Sequence, residues 1–198
     1  MANKEYKPVS PKPISAKDWS LISADISLAN VAMDNEKNLH MIGMAAYHYT
    51  QAIEKSLKAI IRANNPEFKK SLATHDFAFL LVETELCCAG FIDKHQFIAD
   101  NSQELSVMNG VRYGNKTVRK GDVYVLMKEA RELFNDLEQD LLRSTGLSKE
   151  QLQKQANNLH KDEDVFISLD DTHSKYESKA RDKQNRDKKS NRNDFSRD

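Results

Sequence analysis

The sequence predicts an all-α fold: an antiparallel bundle of four or five helices followed by a disordered, charged C-terminal tail. Two observations carry this. Several long windows repeat apolar side chains at helical steps of three and four residues, and no run alternates like a strand bounded by hairpin turns. The connections between those windows are short, which favours antiparallel neighbours.

Residues 1–14 contain Pro8, Pro11 and Pro13 and few large apolar side chains, so they are expected to form a flexible arm. Ser15 is placed to cap a first helix from 16 to about 34, in which Trp19, Ile22, Ile26, Ala29 and Met33 share one face. The polar run Asn35 to Asn38 ends that pattern. A second helix runs from about Leu39 to Ala63 and stops at Asn64-Asn65-Pro66, where proline disfavours further helix. Thr74 reads as the cap of a third helix carrying Phe77, Leu80, Leu81 and Thr84, with Gly90 as its stop. Asp76 falls in its first turn, where the helix dipole favours a carboxylate. A weaker pattern through Phe97, Ile98, Leu105 and Met108 predicts one fourth helix from Lys94 to Met108, with Asp93 as its cap. The stretch Asn109 to Gly121, NGVRYGNKTVRKG, reads as a loop. A fifth helix starts near Asp122 and carries Val123, Leu126, Met127, Ala130, Phe134, Leu137 and Leu141, so the bundle spans 15–143. Residues 144–169 form a polar linker with at most a short exposed helix. Residues 170–198 are too polar to offset the entropy of ordering them, and are expected to be disordered.

Thirty basic residues balance thirty acidic ones, so bulk charge gives no drive toward nucleic acid or anionic membrane. Any such binding would be local. Cys87 and Cys88 are adjacent, which suits neither a disulfide framework nor a metal site, and they read as small buried apolar residues. No phosphate-cradling glycine loop, zinc motif or nucleophile elbow is present, so neither metal nor cofactor is expected. Without a signal peptide or a long apolar run, the chain is expected to be soluble and cytoplasmic, with no membrane partner. In that compartment the sequon at Asn115-Lys116-Thr117 is accidental.

Two groups of residues are candidates for chemistry. On the second helix, His48, Gln51, Lys55, Lys58 and Arg62 form a polar stripe opposite Ala46, Tyr49, Ile53, Leu57 and Ile60. Nothing in the sequence makes them converge, so the stripe reads as a wet surface, or as a face toward a second subunit. Glu54 at its edge is placed within one turn of Lys55 and Lys58 and can offset part of the charge of both. The loop set is Arg112, Tyr113, Lys116, Arg119 and Lys120, just before the free N–H groups of the fifth helix. That combination suits a nucleotide or an RNA backbone, with Tyr113 able to stack on a base, but it reads first as a solvated basic loop that Tyr113 packs onto the bundle.

Taken in order, these features resemble the HEPN superfamily. Trp19 lies near the start of the first helix. Ala46, Gln51, Ala52, Glu54, Lys55, Leu57, Lys58 and Ala59 follow on the second, then Thr74-His75-Asp76 opens the third, and Val111-Arg112-Tyr113-Gly114 precedes the last. The resemblance covers about residues 16–142 and implies a helical bundle acting as a homodimer. Many members of the family are metal-independent ribonucleases that use a closely spaced arginine and histidine. This chain departs from that pattern, since no histidine follows Arg112 before the fifth helix and His75 stands well beyond Arg62. The implied function is a non-catalytic module that binds a nucleotide, RNA or a partner such as a minimal nucleotidyltransferase. The alternative is a ribonuclease of a toxin–antitoxin or defence system, with an antitoxin as partner, using Arg112 with a non-standard proton-transfer residue. His48 and His75 are the imidazoles available for it, with Asp76 beside the latter.

Overall fold

The computed structural model describes residues 8–68, 72, 74–108 and 118–162, and is all-α over that range, with no strand among the described residues. Three long helices make the frame: α1 (Ala16–Asp34), α2 (Leu39–Asn64) and α7 (Lys120–Thr145). Between the last two lie α3 (Phe77–Cys87) and three short helices, α4 (Phe91–Lys94), α5 (Gln96–Asp100) and α6 (Ser102–Val107); α8 (Lys149–Asp162) follows α7. Among the described residues no helix is long and apolar enough to cross a membrane. The tail at 170–198 lies outside the described residues.

Cross-links along α1 give its direction relative to its neighbours. Asp18, Asp25 and Asn30 meet Arg62, then Lys55 and His48, then Tyr49, so α2 runs antiparallel to α1. Trp19, Asn30 and Glu36 meet Glu138, Arg131 and Tyr124 in the same reversed order, so α7 is also antiparallel to α1. The core between them holds Trp19, Ile22, Tyr49, Ile53, Leu57, Ile60, Leu133 and Leu137, all nearly inaccessible. Ser15 caps α1 as the sequence predicts, accepting from the Asp18 N–H at 3.0 Å.

Four local expectations are corrected. The arm does not hang free over residues 8–14: Val9 and Ile14 are buried, and the N–H groups that proline leaves available are taken up by side chains. Asp140 on α7 accepts from Val9 N–H at 2.9 Å and Ser10 N–H at 3.2 Å, and Asn64 on α2 accepts from Lys12 N–H at 3.0 Å. The third helix is capped by Asp76, not Thr74, with Asp76 accepting from Phe79 N–H at 3.2 Å while Thr74 accepts from the Asp76 N–H. Helix α8 is not merely exposed, since Leu152 and Ala156 are fully buried. Gly146, at φ +67°, turns the chain out of α7, and Lys149 then reaches Glu138 at 3.0 Å.

The single fourth helix expected over 94–108 is three pieces. His95 and Asn101 leave helical geometry, and the Asn101 side chain donates to the Phe97 carbonyl at 2.8 Å, competing with the backbone for it. Upstream, Gly90 adopts φ +85°, and Glu85 closes the turn by accepting from the Gly90 and Ile92 N–H groups at 2.7 and 2.9 Å. These bonds hold the Glu85 carboxyl below its ordinary range. His95 is 2% exposed, its ring 4.6 Å from that of Phe91, and its Nε2 has no partner among the described residues.

Burial pushes the His95 pKa down from 6.5 to about 4, helped by Lys94 and opposed by Asp136. Because the folded value lies below the unfolded one, the unfolded chain binds the proton first. His95 therefore leaves stability intact above about pH 6.5 and costs it progressively toward pH 4, by an amount on the order of 3 kcal/mol. Urea denaturation across that window should show a stability slope that His95→Gln flattens.

Candidate functional site

The polar stripe of α2 is held together by two buried carboxylates. Asp25 of α1, 6% exposed, takes His48 Nδ1 at 2.9 Å on one oxygen and Lys55 Nζ on the other. Glu54, 3% exposed, takes Lys58 Nζ at 2.7 Å and lies 3.0 Å through both oxygens from Nδ1 of His75. Gln51 Nε2 is 3.5 Å from the same carboxylate, at the limit of a hydrogen bond. Arg62 donates to Asp18 one turn above the α1 cap. The stripe therefore does converge, in two clusters, which corrects its reading as an ordinary wet face. Asp76, in contrast, is spent on its helix cap.

This pairing changes what the stripe can do. Each of its three cations already faces a carboxylate, so it offers little free charge to a phosphate. The most exposed side chain in these pairs, apart from the cations, is His75 beside the stripe, 60% exposed while Glu54 holds Nδ1 of its ring. A carboxylate on Nδ1 orients an imidazole and leaves Nε2 for other partners.

Of the loop set, Arg112, Tyr113 and Lys116 lie outside the described residues. Arg119 stands at the N-cap of α7 without a side-chain cap, and Lys120 opens the helix. Lys120 Nζ meets Glu36 at 2.7 Å, and the Tyr124 hydroxyl donates to the same carboxylate at 2.6 Å. Lys120, then Tyr124, hold Glu36 below its usual range, and Glu36 in turn raises the pKa of both partners. The start of α7 is thereby fastened to the α1–α2 turn.

Beside this fastening is a cleft of about 360 Å³ between the end of α1 and the first three turns of α7. Met33 and Met127 supply apolar wall, Tyr124 a half-exposed ring, and Asp34 and Arg131 opposite charges. Asn30 organises its floor, since Oδ1 accepts both from Arg131 and from the Tyr49 hydroxyl at 2.7 Å. Burial, the larger effect, raises the Tyr49 pKa although Arg131 opposes it, so the phenol remains a donor at neutral pH. Sequence reasoning singled out none of Asn30, Asp34, Tyr124 and Arg131. Tyr124 and Arg131 lie seven residues apart on α7 with Met127 between them, the one pattern in the sequence that marks a shared face.

Among the described residues no three His, Cys, Asp or Glu side chains gather closely enough to hold a metal ion. Cys88 is buried, and burial pushes its thiol up to about 11, which leaves it a weak nucleophile. Comparison with protein-family models, curated proteins and solved structures returns no match.

The two kinds of pair should separate in mutagenesis. Glu54→Ala strands Lys58, 12% exposed, and should cost about 2–4 kcal/mol in urea denaturation. Arg62→Ala removes a 43% exposed guanidinium and should cost about 1 kcal/mol or less.

Proposed function

We propose that this chain is a non-catalytic binding module that receives a nucleotide, free or as part of RNA, in the cleft between α1 and α7. The carrying observation is the composition of that cleft: about 360 Å³ walled by Met33, Met127 and the Tyr124 ring, with Arg131 and Asp34 at its edges. That volume falls within the range of small-molecule sites, and the lining is mixed, with Asn30, Asp34, Glu36 and Arg131 beside the apolar walls. A base has two flat apolar faces and a polar edge. Tyr124 and the methionines suit the faces, Asp34 suits an exocyclic amine, and the guanidinium of Arg131 suits a carbonyl or a phosphate oxygen. Arg119 stands at the cap of α7, whose open end favours a phosphate.

The resemblance to the HEPN superfamily supports the same reading, as does the missing arginine–histidine spacing. On that resemblance a minimal nucleotidyltransferase or an antitoxin is the natural protein partner. A thermal-shift screen of mononucleotides and short RNA tests the ligand. A ligand at 100 times its dissociation constant should stabilise the protein by about 2.7 kcal/mol. Arg131→Ala should remove the shift. Tyr124→Ala should weaken binding by about 1–3 kcal/mol, with Tyr124→Phe retaining most of it. No shift with any nucleotide or RNA would end this reading.

One observation favours a second reading, metal-independent RNA cleavage. The Glu54–His75 pair offers an oriented, solvent-facing proton-transfer group, one of the requirements of phosphodiester cleavage by an internal hydroxyl. In that reading Arg112 contributes charge to the phosphate. Labelled RNA incubated with the protein in chelator should then be cut, and His75→Ala should abolish cutting. RNA left intact at high protein concentration would remove this alternative.

A further inference from the structure

The segment from α4 to α6 passes α7 in reverse order: Lys94 meets Asp136 at 2.7 Å, while Phe97, Leu105 and Met108 lie against the first turns of α7. Between them is a groove of about 100 Å³. Phe97, Leu105, Met108, Val125 and Leu126 make its apolar walls, and Val125 is 43% exposed there. A cavity of about 150 Å³ holds one benzene ring, whereas sites for whole small molecules run from about 300 Å³ upward. This groove therefore takes one apolar side chain and excludes a nucleotide. It is distinct from the cleft at Tyr124, Met127 and Arg131, which is built from another face of α7.

A carboxylate edges the groove from each side, Glu104 on α6 and Asp122 on α7, both exposed. Neither has an ion pair among the described residues. The acidic character continues along α7, where Asp122, Val125, Glu129 and Glu132 step by three, four and three residues and so share one side. Burial first, and then Glu132, raise the pKa of Glu129 against the opposing charge of Lys128. Asp100, which accepts from Gln96 at 2.8 Å, adds a further negative charge one turn before Glu104. Lys94 and Lys120, at the two ends, are engaged by Asp136 and Glu36. Arg119 and Lys128, the other cations on this part of α7, pair with neither edge carboxylate.

We propose that this groove docks a short basic segment of a partner protein, with one aliphatic side chain seated between α5–α6 and α7 and lysine or arginine on both sides of it, against Glu104 and Asp122. An apolar anchor in a pocket supplies the energy of such a contact, and the charges around it select the partner and speed the encounter. Asp122 to Glu132 covers about 15 Å of α7, more than a compact amine reaches and about what an extended segment of five residues spans. Because the edge charges are exposed, the contact is weak and sensitive to salt.

Random heptapeptides displayed on phage and selected against the full chain should converge on one leucine, isoleucine or methionine between lysines or arginines. The strongest selected peptide, synthesised with a fluorescent label, should lose about tenfold in affinity when its aliphatic residue becomes alanine. Val125→Trp, whose ring fills the groove, and the double variant Glu104→Lys with Asp122→Lys should each cost about as much, with unchanged helix content by circular dichroism. A copy of the peptide with glutamates in place of its cations should bind the double variant better than the wild type. Arg131→Ala, which tests the cleft, should leave peptide binding unchanged. A selection that recovers no peptide, or only peptides without cations, overturns the proposal. So does a selected peptide indifferent to both Val125→Trp and the charge reversal. Self-association of the chain that Val125→Trp abolishes would make a second copy the occupant and overturn it as well.

Discussion

Among the described residues four carboxylates sit inside the bundle, and the rest of the architecture is arranged around satisfying them. Asp25, Glu54, Glu138 and Asp140 are each 3–6% exposed. An ionised carboxylate taken out of water costs several kcal/mol unless cations or N–H groups replace its hydration. Each one here is met from a different element. Asp25 is met by α2, Glu54 by His75 ahead of α3 as well as by Lys58, Glu138 by Trp19 and by Lys149 at the start of α8, and Asp140 by the backbone of Val9 and Ser10. The apolar core brings the helices together without specifying register, because its attraction has no direction. The carboxylates have direction, and a shift of one turn would leave a charge buried alone.

The same constraint sorts the surface. Where α2 shows its basic row, the charge is already matched by Asp18, Asp25 and Glu54, and the row serves to seat α1 on α2 and His75 on Glu54. Where α7 begins, Glu36 binds Lys120 and Tyr124 at the edge of solvent, leaving a cleft next to it with apolar walls and polar ends. The first arrangement is closed chemistry and the second is open. The groove between α6 and α7 is open in another sense, since its edge carboxylates, Glu104 and Asp122, meet no cation among the described residues.

The helices themselves were legible because their signals are local. The apolar period in α1, α2 and α7, the Ser15 cap and the Asn64-Asn65-Pro66 stop all act within a few residues of where they stand. Some errors fall where a distant group outweighed a local preference, and others where a nearby side chain competed with the helix backbone. The proline-rich segment looked free because its anchors, Asp140 and Asn64, lie far along the chain. Residues 94–108 looked like one helix because apolar period does not register that His95 is drawn under Phe91 or that Asn101 turns back on a carbonyl. The polar segment after Thr145 looked wholly exposed because two small buried contacts, Leu152 and Ala156, are too few to make a stripe.

By itself, then, the sequence determined which segments are helical and which face of each is apolar, since a repeat of 3.6 residues needs no partner to be read. It also placed Glu54 within a turn of both Lys55 and Lys58, of which Lys58 pairs with it while Lys55 turns to Asp25. Only the tertiary structure decided that Asp25 gathers His48 and Lys55, that Asn30 joins Tyr49 to Arg131, and that the cleft lies between α1 and α7. Those groupings join residues more than a dozen positions apart. They arise from how packed helices dispose of charge, a property of the assembled bundle that no single stretch of chain contains.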